Sequence, residues 1–177
     1  LDAQIIDITE RRSKLTMDNM EKISETPKKK VSPEFRERLL ELIDDVGCRR
    51  TEFSSLVKVN KDIISRATIY GIVPSMQSLL KIADYSEVSL EYLLGLKDKN
   101  EFYKSESPTT FHARLLQLTE EKGTTFAQIA HRMPFARNLF QEWLRRKTLP
   151  TLDNLLALAE YFKVSPDYLL GRTDDKN

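Results

Sequence analysis

The stretch TLPTLDNLLALAEYFKVSPDYLLG, residues 148–171, decides the fold, because a near copy of it lies 76 positions earlier in the chain. Proline stands near the start of both copies, as Pro74 and Pro150, and the motif Tyr-Leu-Leu-Gly closes both, at residues 92–95 and 168–171. The offset never changes, so residues 35–98 align with residues 111–174 without a gap and share 18 identities in 64 positions. An internal repeat at one fixed offset indicates that the same structural unit is built twice.

The composition bounds the class of protein. The 177 residues carry 28 Lys and Arg against 27 Asp and Glu, a formal net charge of +1. That balance argues against a globally basic, histone-like binder but permits local basic faces. The single cysteine, Cys48, cannot form an internal disulfide, which fits a reducing compartment. No apolar run approaches the roughly 20 residues of a membrane span and no signal peptide is recognisable, so we expect a soluble, cytoplasmic protein.

Polar segments that contain proline divide the chain into predicted domains. Residues 1–34 include TPKKKVSP at 26–33 and are predicted to be an N-terminal arm or linker, partly disordered. Three interpretations of this region stay open: a solvated tail, an arm that touches nucleic acid through the lysines at 28–30, and a self-association helix at residues 1–15. Residues 99–110 (KNEFYKSESPTT) are predicted to link a first domain, 35–98, to a second domain, 111–174.

The sequence pattern of each repeat predicts five helices. Ser32 and Pro33 form a helix-start signal before the first helix, and Ser165 and Pro166 form one before the last. Between these points apolar residues recur at helical spacing, and Gly47 is expected to end the first helix. No segment shows sustained alternation with a period of two, so we expect no sheet and predict an all-α protein.

Residues 126–150, just before and into the repeated stretch, read FAQIAHRMPFARNLFQEWLRRKTLP. The small Ala130 in helix two, Trp143 on helix three, the basic cluster and the LLxLAxxFxVSxDYLLG finish resemble the Cro/CI-type helix-turn-helix family, also called XRE-like or lambda-repressor-like. The resemblance covers both copies, roughly three quarters of the chain, and implies two tandem five-helix lambda-repressor-like DNA-binding domains. Lys58 and Pro134 stand in the turn between helices two and three, where that family usually has glycine.

The resemblance implies that helix three enters the major groove of double-stranded DNA. In the second repeat, Leu139, Phe140 and Trp143 are expected to anchor this helix in the core. The residues expected to contact DNA are Arg137, Asn138, Gln141, Glu142, Arg145, Arg146 and Lys147. Arg137 is placed for guanine and Asn138 for adenine. The basic residues at 145–147 are expected to bind phosphates, which adds affinity without sequence information.

The first repeat offers fewer basic residues at the matching positions. Its candidates are Asn60, Lys61, Ser65 and Arg66 on helix three, with Arg49, Arg50 and Lys58 near the ends of helix two. Residues 70–73 (YGIV) lack the Arg-Arg-Lys cluster, and Asp62 is expected to face phosphates. If one repeat has lost DNA binding, we therefore expect it to be the first.

Three functions stay open at this point. The first is a sequence-specific DNA-binding regulator of transcription that uses one or both repeats, as a homodimer or as an intramolecular pseudo-dimer. The second is a protein-interaction module, such as an antitoxin or adaptor, that keeps the fold. The third is an accessory factor for plasmid or phage DNA processing. We expect no enzyme, because no catalytic constellation is present. We expect no metal and no cofactor, because His112, His131 and Cys48 lack ligand spacing and no phosphate-binding glycine loop occurs.

Overall fold

This computed structural model describes residues 30–177, whose regular secondary structure is helical. They are α1 (Pro33–Val46), α2 (Arg50–Leu56), α3 (Lys61–Tyr70), α4 (Met76–Tyr85), α5 (Leu90–Leu93), α6 (Phe111–Glu121), α7 (Phe126–His131), α8 (Asn138–Arg146), α9 (Leu152–Phe162) and α10 (Pro166–Leu169). Residues 30–177 contain no strand, only an isolated antiparallel bridge between Val31 and Ile72. The predicted all-α class is therefore confirmed for these residues. Residues 1–29 of the predicted arm lie outside the described range.

Helix starts follow the predicted capping residues. The hydroxyl of Ser32 accepts a hydrogen bond from the Phe35 backbone N–H at 3.1 Å, and Pro33 is the first residue of α1. The same arrangement opens α10, where the Ser165 hydroxyl accepts from the Tyr168 N–H at 3.1 Å. A side-chain acceptor satisfies an N–H group that has no partner inside the helix, and so fixes where the helix begins.

The backbones of the two repeats adopt the left-handed conformation at matched positions. Four positions with a left-handed backbone pair across the repeats at the sequence offset of 76: Gly47 with Gly123, Gly71 with Lys147, Glu87 with Lys163, and Gly95 with Gly171. A left-handed residue ends a helix at one defined place. The matched set therefore shows that the internal copy extends from sequence to backbone conformation.

The turn between helices two and three differs between the repeats. In the first repeat it spans residues 57–60, and Lys58 takes the left-handed conformation, with φ 54°, at the position where the resemblance led us to expect glycine. The Lys81 ammonium donates to the Lys58 carbonyl at 3.0 Å, which supports this turn. In the second repeat the turn spans residues 132–137, because Pro134 cannot adopt a positive φ.

One continuous core joins the described helices. Its largest fully buried side chains are Phe35, Phe53, Phe111, Phe140, Leu39, Ile64, Leu79, Ile82, Leu90, Leu93, Leu115 and Ile129. Each side chain of this kind stabilises the fold by about 1.5–3 kcal/mol relative to exposure. Residues 31–177 accordingly form one compact unit.

The segment predicted as a linker packs on the second repeat. The Arg172 guanidinium lies 4.5 Å from the centre of the Phe102 ring, and the Ser105 N–H donates to the Arg172 carbonyl at 2.9 Å. The Thr109 N–H donates to the Gly171 carbonyl at 3.3 Å. Residues 99–110 are thus held against Gly171 and Arg172 through Phe102, Ser105 and Thr109. The exact domain boundaries at 98 and 111 stay a prediction.

Gly171 and Gly123 offer a matched test of this packing. A Cβ added to Gly171 would lie 2.3 Å from the Thr109 carbonyl oxygen, whereas one added to Gly123 meets nothing within 4 Å. Both alanine variants carry the roughly 1–2 kcal/mol cost of a left-handed residue. We expect Gly171→Ala to lower the free energy of unfolding by about 1–3 kcal/mol more than Gly123→Ala does. Urea titration followed by circular dichroism measures both, and equal losses would contradict the close packing at Thr109.

Candidate nucleic-acid interface

Aromatic side chains hold one side of α8 in the core. Phe140 and Trp143 are 1% and 3% exposed. The Phe140 ring stacks on Phe126 at 5.1 Å, and Trp143 meets Phe135 edge-on at 5.3 Å and Phe111 at 6.0 Å. Aromatic pairs in such geometry contribute about 0.5–1.5 kcal/mol each beyond their buried area. The anchoring role predicted for Phe140 and Trp143 is confirmed, and their core contacts fix the position of α8.

Polar and basic side chains cover the opposite side of α8. The exposed residues in and beside it are Arg137, Asn138, Gln141, Arg145, Arg146 and Lys147. The structure brings most of these predicted residues together in one surface concavity, lined by Asn138, Gln141, Glu142, Leu144, Arg145 and Arg146. Glu142 is half-buried and pairs with Arg146 at 3.0 Å. An ion pair this exposed contributes little, so an incoming phosphate competes easily for Arg146.

In both repeats the first helix is hydrogen-bonded to a backbone carbonyl near the end of the third helix, just after it in the second repeat and in its last turn in the first. The His112 imidazole on α6 is hydrogen-bonded to the Thr148 carbonyl at 3.0 Å. At the matching position on α1, the Arg36 guanidinium donates to the Thr68 carbonyl at 2.9 Å. Sequence reasoning missed both contacts. The two residues differ in type, so only their shared position in the repeat pointed to a shared role.

The first repeat uses some of its predicted contact residues for local structure. The Asn60 side chain accepts from the Asp62 N–H at 2.8 Å and caps α3. The Arg49 N–H donates to the Glu52 carboxylate at 2.9 Å at the start of α2. These contacts occupy the Asn60 side chain but only the backbone of Arg49.

The predicted side chains that are exposed and can meet a ligand in this repeat are Lys61, Arg66, Arg49, Arg50 and Lys58, and Ser65 is half-buried. At the end of α3 the surface becomes apolar, since Ile69 and Tyr70 are 47% and 63% exposed. The matching positions in the second repeat are arginines, Arg145 and Arg146. The two repeats thus present different chemistry at the same place in the fold.

Residues 30–177 lack two other kinds of feature, a metal site and a membrane-spanning helix. Among residues 30–177 no group of three or more His, Cys, Asp or Glu side chains is arranged to hold a metal ion. None of the helices in the same range has the length and apolar character needed to cross a membrane.

Comparison with known proteins gives a partial likeness. A relative from Bacillus subtilis (strain 168), described as the uncharacterized HTH-type transcriptional regulator YobD, is 37% identical over 62 residues. The match covers 35% of this chain and 55% of the relative, so the chain spans about half the length of the relative it matches. No protein-family model matches the chain. No solved structure matches it either. This chain is therefore similar, over about the length of one repeat, to a helix-turn-helix regulator.

Proposed function

We propose that the chain is a sequence-specific double-stranded DNA-binding protein that regulates transcription. We further propose that it consists of two tandem five-helix domains of the Cro/CI, lambda-repressor-like type, at residues 35–98 and 111–174. The observation that carries the proposal is α8, which is anchored by aromatic residues on one side and presents polar and basic side chains on the other. The likeness to a helix-turn-helix transcriptional regulator supports the same function.

The proposed mechanism separates base reading from phosphate binding. The major groove, about 12 Å wide, admits a single helix, and the first turn of that helix reaches the base edges. Asn138 begins this turn in α8, Arg137 directly precedes it as the N-cap residue, and Gln141 follows one turn later. Arg145, Arg146 and Lys147 lie at the other end of the helix, where the DNA backbone passes. The aromatic residues behind α8 fix the helix, so the base-reading and the phosphate-binding side chains keep constant positions relative to each other.

Arg137→Ala tests the base-reading role. Loss of a bidentate arginine–guanine contact lowers affinity for the preferred duplex by about 1–3 kcal/mol, or roughly 5- to 150-fold. Binding to random duplex at the same salt concentration is expected to change little. Fluorescence anisotropy with a duplex selected by the full chain from a random pool measures both.

Arg146→Ala is the matched comparison on the same helix. It is expected to weaken both duplexes alike and to reduce the slope of log K against log salt by about 0.9, because one phosphate contact is lost. Equal losses of Arg137→Ala on selected and random DNA would show that Arg137 does not read bases.

A second function is favoured by the apolar end of α3. Exposed Ile69 and Tyr70 are suited to a protein partner, as in an antitoxin or adaptor that keeps the fold. A salt titration with random duplex DNA distinguishes the two functions. DNA binding gives affinity that falls steeply with salt, whereas no binding at low salt favours the protein-interaction module.

A further inference from the structure

Matched positions of the two repeats border the same groove in the structure. One groove is lined from the first repeat by Pro74, Ser75 and Met76, and from the second by Pro150, Thr151 and Leu152. Each residue of the first set is 76 positions from its counterpart in the second. These residues begin α4 and α9, the helices that follow the two candidate recognition helices.

A second small pocket repeats the pattern on another part of the molecule. It contains Ser89 with Ser165, and Glu91 with Asp167, again pairs 76 positions apart. These residues cap or belong to α5 and α10, which contact each other. When two like units meet through the same surface, matched positions meet at a two-fold axis, whereas a head-to-tail arrangement places unlike positions together. The two pockets therefore indicate an approximate two-fold relation between the repeats.

Polar contacts fix this relation. The Leu90 N–H at the start of α5 donates to the Asp167 carboxylate at 2.8 Å. Arg172 forms an ion pair with Asp167, donates to the Asp84 carboxylate at 2.7 Å and donates to the Val88 carbonyl at 3.1 Å. Asp167 and Arg172 belong to the second repeat, and Asp84, Val88 and Leu90 to the first. The side chains of Asp167 and Arg172 are buried while that of Asp84 is exposed, and a network that crosses between the repeats through buried charges favours one fixed arrangement.

We infer that one chain is a single-chain pseudo-dimer that binds one DNA site made of two unlike half-sites, one for each repeat. The inference rests on the proposed function. The groove at the approximate axis is lined by residues 147–152, which directly follow α8, and by residues 74–77, which begin four residues after the end of α3, so the C-terminal ends of both helices approach the axis. Two recognition helices related in this way are the arrangement with which dimeric helix-turn-helix proteins read half-sites about 34 Å apart.

The half-sites are unlike because the reading faces differ at matched positions. Lys61 aligns with Arg137, Asp62 with Asn138, and Ser65 with Gln141. The second repeat adds three consecutive charges, at 145–147, where the first has the residues IYG at 69–71. The second repeat therefore supplies most of the phosphate binding, while Lys61 and Arg66 give the first repeat its own sequence preference.

Selection of bound duplex from a random pool tests the inference, with the full chain compared with Arg137→Ala and its matched variant Lys61→Ala. Both residues are exposed, and circular dichroism checks that both variants stay folded. We expect each variant to relax base preference, by about 5-fold or more, in one half of the site only, and the two variants to affect opposite halves. Sedimentation of the complex is expected to give one chain per duplex.

The outcomes separate the inference from the function on which it rests. A palindromic site with two chains per duplex would overturn the pseudo-dimer and leave DNA binding intact. Relaxation of the same half by both variants, or of neither half by Lys61→Ala, would also overturn it. Failure of the full chain to select any sequence at low salt would overturn the proposed function itself.

Discussion

Arg172→Met is expected to lower the free energy of unfolding by about 3–5 kcal/mol, because it leaves the buried carboxylate of Asp167 without its charged partner. The side chains of Arg172 and Asp167 are only 9% and 2% exposed. The variant also removes the donors to Asp84 and to the Val88 carbonyl, which join the two repeats. For a chain of this size the loss corresponds to a fall in Tm of about 6–20 °C, which calorimetry or thermal circular dichroism measures.

The loss is expected to shrink in acid. Burial raises the pKa of Asp167 above its ordinary value of 3.8, and Arg172 opposes that rise. Without Arg172 the folded-state pKa rises further, so the folded state takes up a proton at a higher pH than the unfolded state does. Stability that comes from a raised carboxyl pKa is present at low pH and is lost as the pH rises through that pKa. The difference between Arg172→Met and the parent should therefore be smaller near about pH 4 than near about pH 7.

Two further variants act as controls for this prediction. Lys97→Met breaks the Lys97–Glu91 ion pair, whose side chains are 41% and 22% exposed, and is expected to cost at most about 1 kcal/mol. Combining Arg172→Met with Asp167→Asn removes the unpaired charge and keeps an acceptor for Leu90, so it should restore a large part of the loss. A loss for Arg172→Met no greater than that for Lys97→Met would contradict the buried-pair argument.

Removing the three charges after α8 is expected to weaken DNA binding by about 500-fold at about 0.1 M salt, if each binds one phosphate. The variant combines Arg145→Ala, Arg146→Ala and Lys147→Gly. Three contacts at about 0.9 each reduce the slope of log K against log salt by about 2.7. Relative to a reference at about 1 M salt, where the phosphate contribution vanishes, this change lowers K at about 0.1 M by about 500-fold. Glycine is chosen at 147 because Lys147 has a left-handed backbone, with φ 53°, as Gly71 does at the matching position. Charge is thus removed without added backbone strain.

The matched change in the first repeat controls for non-specific effects. Ile69→Ala combined with Tyr70→Ala alters the same place in the fold without altering charge, so the salt slope is expected to stay unchanged. Anisotropy titrations on selected duplex at four or more salt concentrations measure both slopes. An unchanged slope for the 145–147 variant would show that these residues do not bind phosphates.

The internal copy made much of the fold predictable from sequence. Ser32 and Ser165 cap their helices as expected, and Phe140 and Trp143 anchor α8, because helical spacing and capping chemistry are local properties. Lys58 shows where local reasoning stops. Lysine has no preference for a left-handed backbone, and the contact from Lys81, distant in sequence, helps to hold it there.

Other contacts were missed although the sequence carried a signal for them. The Arg38 guanidinium lies 4.5 Å from the centre of the Tyr92 ring, and Arg114 lies 4.0 Å from that of Tyr168. All four residues are identities between the repeats, so their recurrence pointed to a shared contact between the first and last helices.

The arrangement of the two repeats gave no such signal. Arg172, which makes two of the hydrogen bonds between them, aligns with Leu96 and has no internal counterpart. The candidate site was predictable as a set of residues on one helix, because helical periodicity places them on one face. The relation of that face to its copy depends on contacts that only the folded chain shows.

For the DNA binding proposed above, the buried contact between Asp167, Arg172 and the first repeat has a consequence for how occupancy of the site depends on protein concentration. A regulator whose two subunits are separate chains must dimerise before it binds. At low concentration the fraction of DNA sites occupied therefore rises with the square of the subunit concentration. In the single-chain arrangement inferred above, the second half is held at an effective concentration that dilution does not change. Occupancy then rises with the first power of concentration, which gives a graded response that needs few copies and has no assembly threshold.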